Sequence, residues 1–264
     1  MPEIKVGCVQ ADLVWEDPLK NHERLLNLML QTMEQEKLDV YVLPEMFTTG
    51  FSMNVEKLGE SPEGATFHWL RQFASLANAL IVGSLIIKEN NQYFNRLLCV
   101  FPDGGVQTYD KRHLFRMAGE HQYFQAGVKR LIVEWRGFRI CPLVCYDLRF
   151  PVFSRNLLKV GQGYDLLIYL ANWPARRIEH WKKLLLARAI ENQAYVVGVN
   201  RVGLDGNGIL YNGQSAIINP LGEYLSQPGE EIGVWAATLS FEFLENYRNH
   251  FPAFEDADMF TILE

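Results

Sequence analysis

ICPLVCYDLRFP, residues Ile140 to Pro151, is an apolar run of strand length that ends on a cysteine and continues at once into Tyr146, Asp147, Leu148 and Arg149. Its apolar part reads as a buried strand, because it is short, continuous and bounded by a polar turn and a proline. A thiol kept only for packing needs no such neighbours, since a free cysteine behaves as a small core hydrophobe. In an α/β sheet, by contrast, functional groups collect just beyond the carboxyl ends of strands. That position makes Cys145 the residue to explain, and Cys141, four residues back, a core thiol.

Similar strand-like runs recur on both sides: KVGCVQA, VYVLP, ALIVGSLII, RLLCVFP, DLLIYLA, AYVVGVN, QSAIINP and GVWAATL. Between several of them lie stretches of helical period. KNHERLLNLMLQTMEQEK puts Leu25, Leu26, Met29, Leu30 and Met33 on one stripe, and GATFHWLRQFASLANA and RIEHWKKLLLARAIENQ behave alike. Ser154–Gly161, SRNLLKVG, reads as a shorter helix stopped by its glycine. FPDGG, EWRGF, LDGNG and NPLGE mark hairpins or tight turns. Hairpins mixed with helical crossovers predict an α/β protein with a mixed sheet covered on both faces. With no linker, repeat or low-complexity tract, residues 1–264 are expected to form a single domain.

The 264 residues are 48% apolar and carry a formal net charge of −6, which argues against nucleic acid or an anionic membrane surface as partner. No apolar run approaches the ~20 residues that span a bilayer, and MPEIKVGCVQ does not resemble a signal peptide, so the expected compartment is the cytoplasm. Cys8, Cys99, Cys141 and Cys145 are too few for a disulfide framework. The spacing of the last two is not that of a C-x-x-C metal or redox pair, and no His or Cys set completes four ligands, so no metal is expected. Nor is any cofactor: the chain has no G-x-G-x-x-G after a strand, no G-K-[ST] loop, and no G-x-S-x-G serine elbow.

Three residues each close or directly follow a strand-like run: Glu45 after VYVLP, Lys111 after VQTYD, and Cys145. Taken singly they read as a loop carboxylate, a surface lysine and a buried thiol. Taken together they supply what a nucleophilic cysteine needs, because a thiol with a pKa of ~8.5 is mostly protonated at neutral pH and requires a base or a cation beside it. A papain-like enzyme would pair the cysteine with histidine, but His113, His121 and His180 stand in no motif of that kind, and His113 reads as support for the Lys111 loop. Asp147 and Arg149 read as residues that shape the turn or pair internally.

The stretches LPEMF, YDKRHLF and VCYDLRFP, in that order, resemble the nitrilase superfamily of carbon–nitrogen hydrolases, and the likeness extends from VGCVQAD through NWP and ARAIENQ to NPLGE. Within it the chain is most similar to the ω-amidase branch. The resemblance implies an α-β-β-α sandwich, two packed mixed sheets with helices on the outer faces. It also implies Glu45 as general base, Lys111 as stabiliser of the tetrahedral intermediate, and Cys145 as nucleophile. Glu120 matches a second glutamate near the substrate amide, and the Tyr146 N–H would share the oxyanion. The activity implied is hydrolysis of the ω-amide of a small carboxylic acid, such as the 2-oxo acid amide 2-oxoglutaramate. An amidase, nitrilase or N-carbamoyl amidase on another small substrate, or a binding protein on the same fold, remains open at this point.

A substrate carboxylate needs a charge-assisted partner. In LLIYLANWPARRIEHW, Arg177 is the residue expected to supply it and Trp173 to wall the pocket beside it, the other reading being that Arg176 or Arg177 pairs with Glu179. The family's habit of association further implies a homodimer or higher homo-oligomer formed through Pro151–Val160 and Ile178–Gln193.

Overall fold

The computed structural model of the chain describes residues 1–226 and 229–262. Its strands in chain order are β1 (Glu3–Gln10), β2 (Val40–Val42), β3 (Leu80–Glu89), β4 (Gln92–Val100), β5 (Val106–Asp110), β6 (Val133–Trp135) and β7 (Phe138–Val144). They continue with β8 (Leu166–Leu170), β9 (Tyr195–Val199), β10 (Val202–Leu204), β11 (Leu210–Asn212), β12 (Ala216–Ile218), β13 (Tyr224–Ser226) and β14 (Gly233–Ser240).

Two six-stranded sheets form, in the orders β14-β1-β2-β3-β4-β5 and β13-β12-β9-β8-β7-β6, and β10 and β11 make a separate hairpin. Each sheet has three parallel strands at its centre: β1, β2 and β3 in one, β7, β8 and β9 in the other. Antiparallel strands flank both triplets. The parallel strands are buried on both faces, which is why they read as unbroken apolar runs.

Between the sheets lies one core, in which Val6, Val40, Val82 and Leu97 of the first sheet share a cluster with Leu143, Leu167, Tyr169 and Val196 of the second. The outer face of the first sheet, with Tyr41, Ile81 and Leu98, packs on Leu25 and Met29 of the helix Pro18–Gln35 and Leu70 and Phe73 of the helix Ala65–Ala77. The first of these helices starts where Pro18 sits in its opening turn and Asp17 accepts a hydrogen bond from the Lys20 N–H. On the far side the helix Ile178–Asn192 covers β9, and at Gly198 a β-carbon would meet Leu185 at 2.5 Å and Trp181 at 2.8 Å. The result is the expected α-β-β-α sandwich. On the face expected to pair two copies, Val152, Val160 and Ile190 are exposed.

One expectation is corrected. Ser154–Gly161 is not a helix: a four-residue helical turn, Pro151–Ser154, gives way at Arg155, and a 3₁₀ turn, Leu158–Val160, follows. Asn156 interrupts the helix. Its side chain bonds the backbone of Tyr164 in both directions and donates to the Asn192 carbonyl, while its own N–H donates to Asn192 Oδ1. Local side-chain bonding of this kind competes with the helical ladder.

Asp165, fully buried just before β8, fastens the C-terminal helix Phe241–His250 to the second sheet, accepting from Arg139 Nη2 at 2.9 Å and Arg248 Nη1 at 2.7 Å. Burial alone would raise its carboxyl pKa, but the two guanidinium groups outweigh it and hold the carboxyl below the usual range. Because the folded value is depressed, its contribution to stability is present above the unfolded value of ~3.9 and is lost as pH falls through the folded one. Asp165→Asn should therefore cost about 3 kcal/mol at pH 7 by leaving Arg248 unpaired. Urea melts should show the gap to the parent protein closing as pH is lowered from about 4.

Candidate active site

The carboxyl ends of the two parallel triplets point to one place. Beyond β2 the chain turns through Glu45, and the turn is held from β3, where Ser84 Oγ accepts from the Met46 N–H at 2.9 Å and the Ser84 carbonyl from the Phe47 N–H. Lys111 follows β5; its N–H donates to the Asn95 carbonyl, and its carbonyl accepts from Gly127 N–H. Only glycine fits at 127, since a β-carbon there would stand 2.0 Å from the Asp110 carbonyl oxygen. Cys145 follows β7 in left-handed backbone, with φ +43°, a conformation rarely taken by a non-glycine residue and one that collects at functional sites.

Asp147 fixes the turn after Cys145. Its buried carboxylate accepts from the Val144 N–H at 2.9 Å, the Tyr109 hydroxyl at 2.7 Å, and both the N–H and Nδ1 of His113 at 3.0 and 2.8 Å. One side chain thereby ties the cysteine turn to the lysine loop, and the His113 ring stacks on Phe150.

At the centre Lys111 Nζ is fully buried and donates to Glu45 Oε1 at 2.8 Å and to both oxygens of Glu120 at 2.9 Å. Glu45 also accepts from Asn95 Nδ2 on Oε1 and from the Asn172 N–H on Oε2, each at 2.9 Å. Glu120 accepts from Asn95 Nδ2 at 3.2 Å and from the Phe115 N–H at 2.5 Å. Burial would lower the lysine pKa, but the carboxylates of Glu120 and Glu45 more than reverse this, and the amine stays charged. Burial pushes the Glu120 carboxyl upward, against the pull of Lys111. Burial first and the Glu45 carboxylate second push the Cys145 thiol well above its ordinary value. A resting thiol in this setting is neutral and needs a base before it can attack.

Cys145 is the one cysteine not fully buried; Cys8, Cys99 and Cys141 lie in the core. It opens on a cavity of about 180 Å³, of metabolite rather than drug size, walled by Phe51, Phe115, Trp173 and Tyr211. Arg149, Arg176 and Arg177 also line it. Among the described residues none of the three is ion-paired with a carboxylate, and Glu179 pairs loosely with Lys182 and Lys183 instead. Arg149 lies over the Trp173 ring at 4.8 Å and reaches His180 Nδ1 at 3.1 Å, while Arg177 lies over the Phe115 ring at 5.3 Å. Burial, then the charges of Arg176 and Arg149, depress the Arg177 pKa.

The structure thus brings Glu45, Lys111, Glu120, Cys145, Tyr146, Trp173 and Arg177 to one cavity and its floor. Arg149 departs from its expected role in the turn and faces the cavity. Asn95 and Asn172 were not singled out as site residues, although Asn172 is a polar residue ending an apolar strand run, the same signal that marks Cys145.

The sequence model of the carbon–nitrogen hydrolase family matches residues 5–249. The omega-amidase YafV of Yersinia enterocolitica is 51% identical, with 100% of each chain covered. The 2-oxoglutaramate amidase of Bacillus subtilis is 33% identical over 95% of this chain and 96% of its own. A CN-hydrolase superfamily protein from Xanthomonas campestris, solved with an arsenic adduct in its active site, is 44% identical and superimposes with a TM-score of 0.94 over 99% of this chain and 100% of that one. A sandwich with these relatives is an enzyme, a hydrolase of non-peptide carbon–nitrogen bonds. The chain belongs to the carbon–nitrogen hydrolase family and is similar along its whole length to ω-amidases.

Lys111→Met would leave the Glu45 and Glu120 carboxylates buried without their cation. Without the pull of Lys111 the Glu120 carboxyl, which burial already pushes upward, would rise further above the unfolded ~4.3, so stability would fall as pH climbs through that range. Denaturant melts should show a loss of about 3–5 kcal/mol at pH 8 and a smaller one at pH 5.

Proposed function

We propose that the protein is a cysteine-dependent ω-amidase that converts the ω-amide of a small 2-oxo acid, such as 2-oxoglutaramate, to the acid and ammonia. The observation that carries this reading is one cavity lined by the Cys145 thiol, by the Lys111 ammonium paired with Glu45, and by three arginines that have no acidic partner among the described residues. The relatives named omega-amidase and 2-oxoglutaramate amidase support the same substrate class.

In this reading Cys145 Sγ attacks the amide carbon while Glu45 takes the thiol proton. The carbonyl oxygen, now carrying the negative charge, faces Lys111 Nζ. It also faces the Tyr146 N–H, which belongs to the opening of the helical turn Cys145–Arg149, where amides lack intrahelical acceptors. When the tetrahedral intermediate collapses, the C–N bond breaks, Glu45 returns the proton to nitrogen, and ammonia leaves a thioester on Cys145. Water then attacks the thioester with Glu45 again as base, releasing the acid and restoring the thiol. Glu120 holds Lys111 and carries the charge balance of the site.

Rapid-quench mass spectrometry on 2-oxoglutaramate should find the acyl mass on the peptide containing Cys145, and Cys145→Ala should abolish ammonia release with little change in Tm. Glu45→Gln should lower kcat by ~10²-fold or more. Acyl mass on another residue, or turnover by Cys145→Ala, would refute the assignment.

The arginines separate substrates by charge. Arg177→Met and Arg149→Met should each raise KM for 2-oxoglutaramate at least tenfold, about 1.4 kcal/mol, as expected for a charge-assisted bond. Neither should do so for an uncharged amide of similar length. Equal losses on both substrates would assign that arginine to the cavity wall alone.

A further inference from the structure

The proposed chemistry requires a thiol from one sheet and a carboxylate from the other to keep a fixed separation, and one residue touches both. Asn172 stands just past β8, the central strand of its sheet, opposite Glu45 beyond β2, the central parallel strand of the other. Its backbone N–H donates to Glu45 Oε2 at 2.9 Å, its side-chain Nδ2 donates to the Glu45 carbonyl oxygen at 2.5 Å, and its own carbonyl accepts from Cys145 Sγ at 3.9 Å. The residue is 5% exposed.

The next residues hold this strut still. Asn200, beyond β9, accepts from the Trp173 N–H at 2.8 Å and donates to the carbonyls of Trp173 and Gly213. Among the described residues no other donor reaches the Glu45 carbonyl, and Asn172 Oδ1 has no partner at all. The amide therefore serves as a one-sided clamp: it pulls the Glu45 main chain against the end of β8, while the Asn172 backbone grips the carboxylate and the thiol.

We infer that Asn172 is a positioning residue that sets the geometry between Cys145 and Glu45; the inference rests on the cysteine mechanism proposed above. A buried asparagine kept only to satisfy a turn would affect stability alone. A clamp on the base would also change how the thiol reacts. The charged and titratable groups acting on that thiol are Glu45, Lys111 and Glu120, together with Arg177 and Tyr211 of the cavity lining. Loss of the Asn172 amide frees the Glu45 main chain from the end of β8, so the carboxylate, still bonded to Lys111, can draw back from the sulfur. The thiol then loses a base and, with it, a neighbouring negative charge.

The test measures amide turnover and the pH dependence of Cys145 alkylation by iodoacetamide in the full chain. Asn172→Ala should lower kcat about 100-fold, the cost of misplacing a reacting group by roughly 1 Å, with KM changed less than threefold. The alkylation midpoint should move down by about one pH unit as the carboxylate withdraws. Asn172→Ser, whose hydroxyl is too short to reach the Glu45 carbonyl, should behave likewise and serves if the alanine variant does not fold. A kcat within threefold of the parent, or a lower kcat with an unmoved alkylation midpoint, would overturn the inference. So would unfolding of both variants, which would assign the side chain to stability. Failure of the cysteine mechanism itself reads differently: the parent protein would then turn over amide without an acyl group on Cys145.

Discussion

The buried ammonium of Lys111 is the constraint around which the site is built. An amine fully removed from water is tolerated only when paired and hydrogen-bonded, and here two carboxylates converge on it from separate loops. Two carboxylates against one cation leave a negative excess, which backbone and side-chain N–H groups absorb: Asn95 on both acids, Asn172 on Glu45, Phe115 on Glu120. Each of those donors belongs to something else as well. Asn172 closes a strand, and Phe115 walls the cavity, so balancing the charge of one lysine also shapes the cavity.

The cavity therefore gathers groups of both charges. A buried acid–base pair stands beside a neutral thiol, and guanidinium groups laid over aromatic rings line the same cavity. Stacking on Trp173 and Phe115 supports Arg149 and Arg177 from one side, and Arg149 is held further by His180 Nδ1 at 3.1 Å. In the reading proposed above, those guanidinium groups meet the acid of the substrate while the thiol meets its amide.

Much of this was legible in the chain itself. The parallel strands announced themselves because burial on both faces leaves them uniformly apolar, and Glu45, Lys111 and Cys145 stood out because each breaks or ends such a run. What stayed hidden was contact between distant loops. Nothing local to Asn95 says that its amide spans two carboxylates, and Arg149 read as part of a turn because its partner, the Trp173 face, comes from a different strand end. Ser154–Gly161 carried a helical pattern that failed because Asn156 found backbone partners at Tyr164 and Asn192. Periodicity registers apolar faces and is blind to a single polar side chain that makes better bonds elsewhere.

The order of strands in the first sheet has a consequence for how the chain comes to be active. β1 pairs along its whole length with β14, Glu3 opposite Ser240, so the earliest strand to leave the ribosome waits for one of the last. Until then β1 is an open edge, a template for pairing with other chains. The elements that must meet are far apart in sequence, and contacts of that kind form slowly because a long loop must close first. The residues of the candidate site are divided in the same way, Glu45, Lys111 and Glu120 arriving in the first half of the chain and Cys145 and Asn172 in the second. During synthesis the nascent chain thus passes through a long interval in which these acids and the lysine exist without Cys145, and the sheet that carries them is still missing its border.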